Sequence, residues 1–221
     1  MARIIDSSGA VKSREIIINS TLRNTYLLLS MTLLFSGAMA GLSMAMNWPP
    51  LGIIPTLIGY FGLLFLTSKF RNSALGLVFV FALTGFMGIT LGPILSLYMT
   101  SLPNGGSIIM TAMGGTGVIF VALSAYAIIS RRSFSFMGGM LMAGILVAFL
   151  MGLAAIFFNM PMLSLAVSAM FILLMSGLIL YQTSEIIHGG ETNYINATVT
   201  LYVSVFNLFT SLLHILGVMD D

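Results

Sequence analysis

The chain has 221 residues, 58% of them hydrophobic and only 6% charged, with 8 Lys plus Arg against 6 Asp plus Glu. A water-soluble domain carries roughly a quarter charged residues, so this composition excludes a soluble globular enzyme, and a net charge of +2 offers no basic face for nucleic acid. The absence of Cys removes disulfides, thiol nucleophiles and thiolate metal sites.

A helix needs about 20 apolar residues to cross roughly 30 Å of hydrocarbon. Seven runs meet that length in chain order: Tyr26–Met46, Leu51–Ser68, Ala74–Tyr98, Ser107–Ile129, Met137–Phe158, Met162–Tyr181 and Ala197–Gly217. No charged residue falls inside any of them, and they are continuously apolar rather than alternating, which argues for helices and against a β-barrel. Turn-forming clusters punctuate the breaks: Asn47-Trp48-Pro49-Pro50, Pro103-Asn104-Gly105-Gly106 and Asn159-Met160-Pro161. Leu27–Phe35 followed by Ala38-Met39-Ala40 has the look of a signal peptide with a small-residue cleavage site. The apolar run continues past the alanines to Met46, so the first span is kept. Residues 1–22 then read as a polar tail and 23–221 as a seven-helix transmembrane domain.

Lys and Arg set the orientation of such a bundle. Arg3, Lys12, Arg14 and Arg23 precede the first span, Lys69 and Arg71 lie between the second and third, and Arg131 and Arg132 between the fourth and fifth. All of them fall on one side, which predicts a cytoplasmic N-terminus and a C-terminus on the opposite face. The loop after the sixth span carries Glu185 and Glu191, but acidic residues contribute little to orientation.

Small residues recur at four-residue spacing in Gly37 and Gly41, Gly88 and Gly92, Gly139 and Ala143, and Gly144, Ala148 and Gly152; in lipid such rows let helices approach closely. The last span is more specific. Thr200, Ser204, Asn207, Ser211 and His214 are spaced four, three, four and three, which puts them on one narrow helix face. Polar groups are costly in hydrocarbon, so this face should look inward, either to hydrogen bonds between helices or to a hydrated path. Catalytic candidates are missing. No span holds the two Asp of an intramembrane aspartyl protease, Gly106-Ser107-Ile108 lacks the turn of a rhomboid-type nucleophile, and the lysines are Lys12 and Lys69, so the last span has none to hold retinal. No His, Asp and Glu cluster has metal-ligand spacing. The expectation is a non-enzyme without cofactor or metal.

Several local runs carry a family resemblance. Leu22-Arg23-Asn24-Thr25-Tyr26, Ser124-Ala125-Tyr126 with Phe134-Ser135-Phe136-Met137-Gly138-Gly139, Leu180-Tyr181-Gln182-Thr183 with Ile186-Ile187, and Leu201-Tyr202-Val203-Ser204-Val205-Phe206-Asn207 resemble the Bax inhibitor (TMBIM) family. With His188-Gly189-Gly190-Glu191-Thr192-Asn193-Tyr194, the chain is most similar to the bacterial YccA-like branch. The resemblance implies an all-α integral membrane bundle in the bacterial inner membrane, with six helices around a central seventh. In calcium-leaking members a pair of Asp closes the path, and their positions here are Gln182 and Ser204. Neither is acidic, so the pair has no carboxylate to titrate or to hold a divalent cation, although the two side chains can hydrogen-bond. The resemblance also implies association with the FtsH membrane protease, which such members modulate and by which they can be degraded; the polar N-terminal tail suits a handle for that degradation, the other reading being a tail whose charges only set topology. The alternative is a pH-sensitive cation (calcium) leak channel or transporter.

Overall fold

A computed structural model describes residues 5–220, with side chains from Ile16 onward; residues 1–4 of the expected tail and Asp221 lie outside the described residues. The described chain is all-helical: α1 (Ile5–Ala45), α2 (Ile53–Phe70), α3 (Ala74–Ser101), α4 (Gly105–Ser130), a 3-10 turn (Ser135–Met137), α5 (Gly138–Phe157), α6 (Pro161–His188) and α7 (Tyr194–Asp220). All seven helices are long and apolar enough to cross a membrane. Each expected span lies on one helix, and α1 begins at Ile5, inside the segment read from sequence as a tail.

The helix ends follow from backbone chemistry. Asn47 and Asn159 adopt the left-handed conformation, which Asn tolerates better than other side-chain-bearing residues. The amides around them, Asn47 N to Met44 O and Trp48 N to Ser43 O, then Asn159 N to Ile156 O and Met160 N to Ala155 O, satisfy the last carbonyls of α1 and α5. Gly189, at φ 75°, does the same for α6, with Gly189 N bonded to Ile186 O and Gly190 N to Glu185 O. The sixth helix therefore runs seven residues past Tyr181, where the sequence reading ended it. Gln182–His188 is polar but contains no helix breaker, and the stop comes only at the glycine.

Pro93 sits inside α3, where it can donate no hydrogen bond to the carbonyl of Ile89. Ser43 of α1 supplies the missing donor, its hydroxyl 2.9 Å from Ile89 O. The close approach that this requires is made by the small residues of α3. A Cβ on Gly88 would run into Ser36 O and one on Gly92 into Ser43, so α1 and α3 pack nearly backbone to backbone. The other small-residue rows divide. Gly144 meets Leu174 and Gly152 meets Val167 on α6, and Ala148 is fully buried. Gly37, Gly41 and Gly139 have nothing within 4 Å of an added Cβ, so they leave open surface instead of packing the bundle.

Helix α7 is the hub. Its backbone approaches α1, α2, α3, α4 and α6, and half of its span is buried, against 6% for α2. The expectation of six surrounding helices is corrected to five: the α5 backbone approaches only α6 and the 3-10 turn. Its row of small residues packs on α6, and α5 reaches the centre through longer side chains such as Ile145, which packs against the core around Tyr202. The side chain that ties the centre together is Tyr202 of α7, buried at 1% exposure. Its hydroxyl lies 2.6 Å from Ser36 Oγ of α1 and donates to Thr84 O of α3 at 3.3 Å.

Replacing Ser43 by alanine strands the Ile89 carbonyl in a dry interface and is expected to cost about 1–3 kcal/mol. In that background Pro93→Ala restores an N–H to Ile89 O, so it should recover stability that it does not add to the unmodified chain. Thermal unfolding of the four combinations in detergent or bicelles checks the coupling.

Candidate functional site

The polar face of α7 can now be followed residue by residue. Ser204 is fully buried and Ser211 nearly so, while Thr200, Asn207 and His214 are half-buried. Most of the face is satisfied by its own helix. Thr200 donates to Asn196 O at 3.1 Å, Ser204 to Thr200 O at 2.8 Å and Asn207 to Val203 O at 2.8 Å. These are bonds to the carbonyl one turn back, an arrangement open to Ser and Thr inside a helix without any partner helix. His214 alone of this face reaches across, its Nδ1 2.7 Å from Ser168 Oγ of α6.

Gln182 and Ser204 are both buried, on the packed pair α6 and α7. Ser204 gives its proton to Thr200 O, and no hydrogen bond joins it to Gln182 among the described residues. The helices are instead cross-linked by groups that the spacing argument passed over. Tyr26 of α1 meets Thr183 of α6 at 3.2 Å, and Thr198 of α7 donates to Thr25 O of α1 at 3.3 Å. Tyr202 carries no signal in the sequence beyond its place in a family run, because a phenol in an apolar stretch reads as core packing. Among the described residues, two buried hydroxyls, Thr25 and Ser124, have no partner.

The basic end of the bundle holds a second polar constellation, built around the turn between α6 and α7. Asn193 caps α7 by accepting from Asn196 N at 3.0 Å, as an N-cap Asn does. Its side-chain amide donates to Arg71 O and Asn72 Oδ1, between α2 and α3. Glu191 accepts from Asn193 N and Asn196 Nδ2 at the positive end of the α7 dipole. On the other side, Ser184 accepts from Phe134 N and donates to Arg132 O, and Glu185 accepts from Ser135 Oγ at 2.6 Å. Both ring nitrogens of His188 face backbone carbonyls, Nδ1 that of Ser184 at 2.8 Å and Nε2 that of Arg131 at 3.0 Å. Thr21 of α1 closes the ring by donating to Thr192 O. Four chain segments are thus latched at one end, and the same end carries Arg23, Arg71, Arg131 and Arg132, all exposed.

Two cavities of about 460 Å³ open between the helices. One lies between α1, α4 and α7, lined by Gly37, Gly41, Met113, Gly117 and Phe209; of its polar side chains, Ser36 and Tyr202 are bonded to each other and Thr116 to Ala112 O. The other lies between α2, α3, α5, α6 and α7, where Tyr60 and Asn207 face Phe61, Phe149 and Met175. Neither is lined by a carboxylate. No three His, Asp or Glu side chains among the described residues are grouped to hold a metal ion.

The family profile described as "Inhibitor of apoptosis-promoting Bax1" matches residues 18–221. The chain is 51% identical over 217 residues to a protein of Escherichia coli K12 named "Modulator of FtsH protease YccA", covering 98% of both sequences. It matches a protein of an Escherichia coli O6:H1 strain named "Inner membrane protein YccA" to the same extent. A protein of Pseudomonas aeruginosa is 52% identical, over 96% of this chain and 94% of its own length.

Replacing Asn193 by alanine removes a helix cap and the bond to the α2–α3 turn together. It is expected to cost about 1–2 kcal/mol and to speed backbone hydrogen exchange at residues 71–73 as well as at the start of α7. Exchange confined to α7 would mean that the loops are held independently.

Proposed function

Since the chain belongs to the Bax inhibitor family, we propose that it is a non-enzymatic protein of the bacterial inner membrane that associates with an FtsH-type membrane protease and modulates it. The observation that carries this reading is the 51% identity, end to end, with a protein named as a modulator of that protease. A leak channel for calcium is less well supported. The positions of the acidic pair are Gln182 and Ser204, and no carboxylate lines either cavity, so a divalent cation would find no charged ligand.

The basic end of the bundle faces the cytoplasm, and the C-terminus the periplasm. Support comes from the positive-inside rule together with the hydrogen bonds that hold the Arg71 and Arg131–Arg132 turns at the same end as Thr21. The latched loops then form the surface open to a cytoplasmic protease domain, and residues 1–22 the end that an ATP-driven protease threads first. The neutral stripe of α7 is packing in this account.

Three measurements test the proposal. Pull-down from native membranes through a tag after Asp221 should bring down the protease, and a tagged unrelated seven-span protein should not; equal recovery of both would overturn the association. A periplasmic reporter enzyme should be active after Asp221 and silent after Arg132, and the reverse pattern would invert the topology. Deleting about the first ten residues leaves Lys12, Arg14 and Arg23 to hold orientation. In pulse-chase, the shortened protein should outlive the full chain wherever the protease is active. Equal half-lives would leave the segment as a topology signal alone.

A further inference from the structure

The cavity between α2 and α5 has the features of a ligand site. Its volume of about 460 Å³ falls within the roughly 300–1,000 Å³ of small-molecule pockets, and its lining follows their pattern of apolar and aromatic walls with few polar groups. The polar groups that matter here are not engaged by the protein. The Tyr60 hydroxyl has no hydrogen-bond partner among the described residues. Asn207 uses its amide N–H on Val203 O, which leaves Oδ1 as an open acceptor. Thr90 is spent on Met87 O, so the Tyr60 donor and the Asn207 acceptor, with the Thr56 hydroxyl nearer the start of α2, face a space that is apolar elsewhere, at mid-length of α2 and α7.

The mouth of the cavity opens sideways into lipid. No backbone contact joins α2 to α5; the two helices meet through the Phe61 and Phe149 rings, edge to face at 5.7 Å. Phe61, Met142 and Leu146 line the cavity and are also exposed on the outer surface. Ile58 and Leu150 beside them are exposed and apolar as well. Phe61 and Leu146 sit near the middle of their helices, so the portal lies at the depth of the bilayer interior, out of reach of charged headgroups.

These features narrow the occupant. No charged side chain lines the cavity, so a carboxylate, phosphate or ammonium would be desolvated without compensation. An oxygen-bearing ring can accept from Tyr60 and, as a hydroxyl, donate to Asn207. Phe61, Phe86, Phe149, Phe171 and Phe206 surround the space and offer stacking and edge contacts to a planar ring. We propose that this cavity binds an uncharged prenylated ring of the quinone or quinol class, entering from the bilayer between Phe61 and Phe149, with its oxygens held by Tyr60 and Asn207. The inference does not depend on the protease association.

The test uses the full chain in nanodiscs with Phe149→Trp as reporter and Trp48→Phe to remove the only native indole. Quinones quench indole fluorescence, and decylubiquinone is the probe. Saturable quenching is expected, weakened about tenfold by Tyr60→Phe; competition by decylubiquinol, whose hydroxyl can donate to Asn207 Oδ1, should weaken about tenfold in Asn207→Leu, the worth of one hydrogen bond each. Because the Tyr60 hydroxyl has no partner in the protein, Tyr60→Phe should leave the thermal midpoint unchanged, which separates lost binding from lost folding. Decanol at the same concentration should not displace the probe. Linear quenching that is the same in every variant would mean simple partition into the bilayer and would overturn the site. Displacement by decanol as efficient as by unlabelled quinone would reduce it to a groove for any hydrocarbon chain and would overturn the ligand class.

Discussion

A hydroxyl, amide or imidazole placed in hydrocarbon is costly unless it finds a hydrogen bond within the protein, since no water is at hand to supply one. That constraint bears hardest on α7, which carries Thr200, Ser204, Asn207, Ser211 and His214 along one face. The bundle meets it twice over. The face is turned inward, and most of its donors are spent on carbonyls one turn back in the same helix. With its polarity neutralised locally, α7 can be packed on by five neighbours without each having to present a matching polar group. The same rule explains the α1–α3 pair, where a carbonyl freed by Pro93 is satisfied by Ser43 and the glycines of α3 bring the two backbones close enough for it.

Side chains that do bridge helices are concentrated at two levels. At the centre, Tyr202 links α1, α3 and α7. At the basic end, Asn193, Ser184, Glu185 and His188 join the α6–α7 turn to its two neighbouring loops. The opposite half of the membrane domain is held more by apolar packing, as in the cluster of Ala40, Leu91, Leu95, Ala112 and Leu213. One end of the molecule is thus a hydrogen-bonded platform, while the cavities open between the helices farther along the bundle. A protein that works by presenting a surface to a partner needs the first property. The α2–α5 portal draws on the second.

Much of this was legible in the sequence. Length and apolarity located all seven helices, and the clusters at Asn47 and Asn159 marked the ends of two of them, whereas α6 runs on past Tyr181 to His188. The period of α7 groups its polar residues on one face, of which Ser204 and Ser211 are buried and Thr200, Asn207 and His214 half-buried. What spacing could not supply was the partner of each hydroxyl. A Ser at helical spacing serves equally well for a bond to its own helix or to another, and the choice depends on which backbone lies opposite. For the same reason the rows of small residues could not be sorted: Gly88 and Gly92 are closed by α1, whereas Gly37, Gly41 and Gly139 are open, and nothing within the rows distinguishes them. The distance of the α5 backbone from α7, and the free oxygens of Tyr60 and Asn207, arise from tertiary placement and have no signature along the chain.

The central claim is that the polar face of the last helix forms no hydrated path at Ser204, so that the protein acts through its surfaces and not by conduction along α7. The chain contains no Cys, which makes single-cysteine labelling direct. A membrane-impermeant maleimide should fail to modify Ser204→Cys from either side of the membrane, while it labels Thr192→Cys, at an exposed position in the α6–α7 turn, from one side only. Rapid modification of Ser204→Cys would place water beside the middle of α7 and contradict the account.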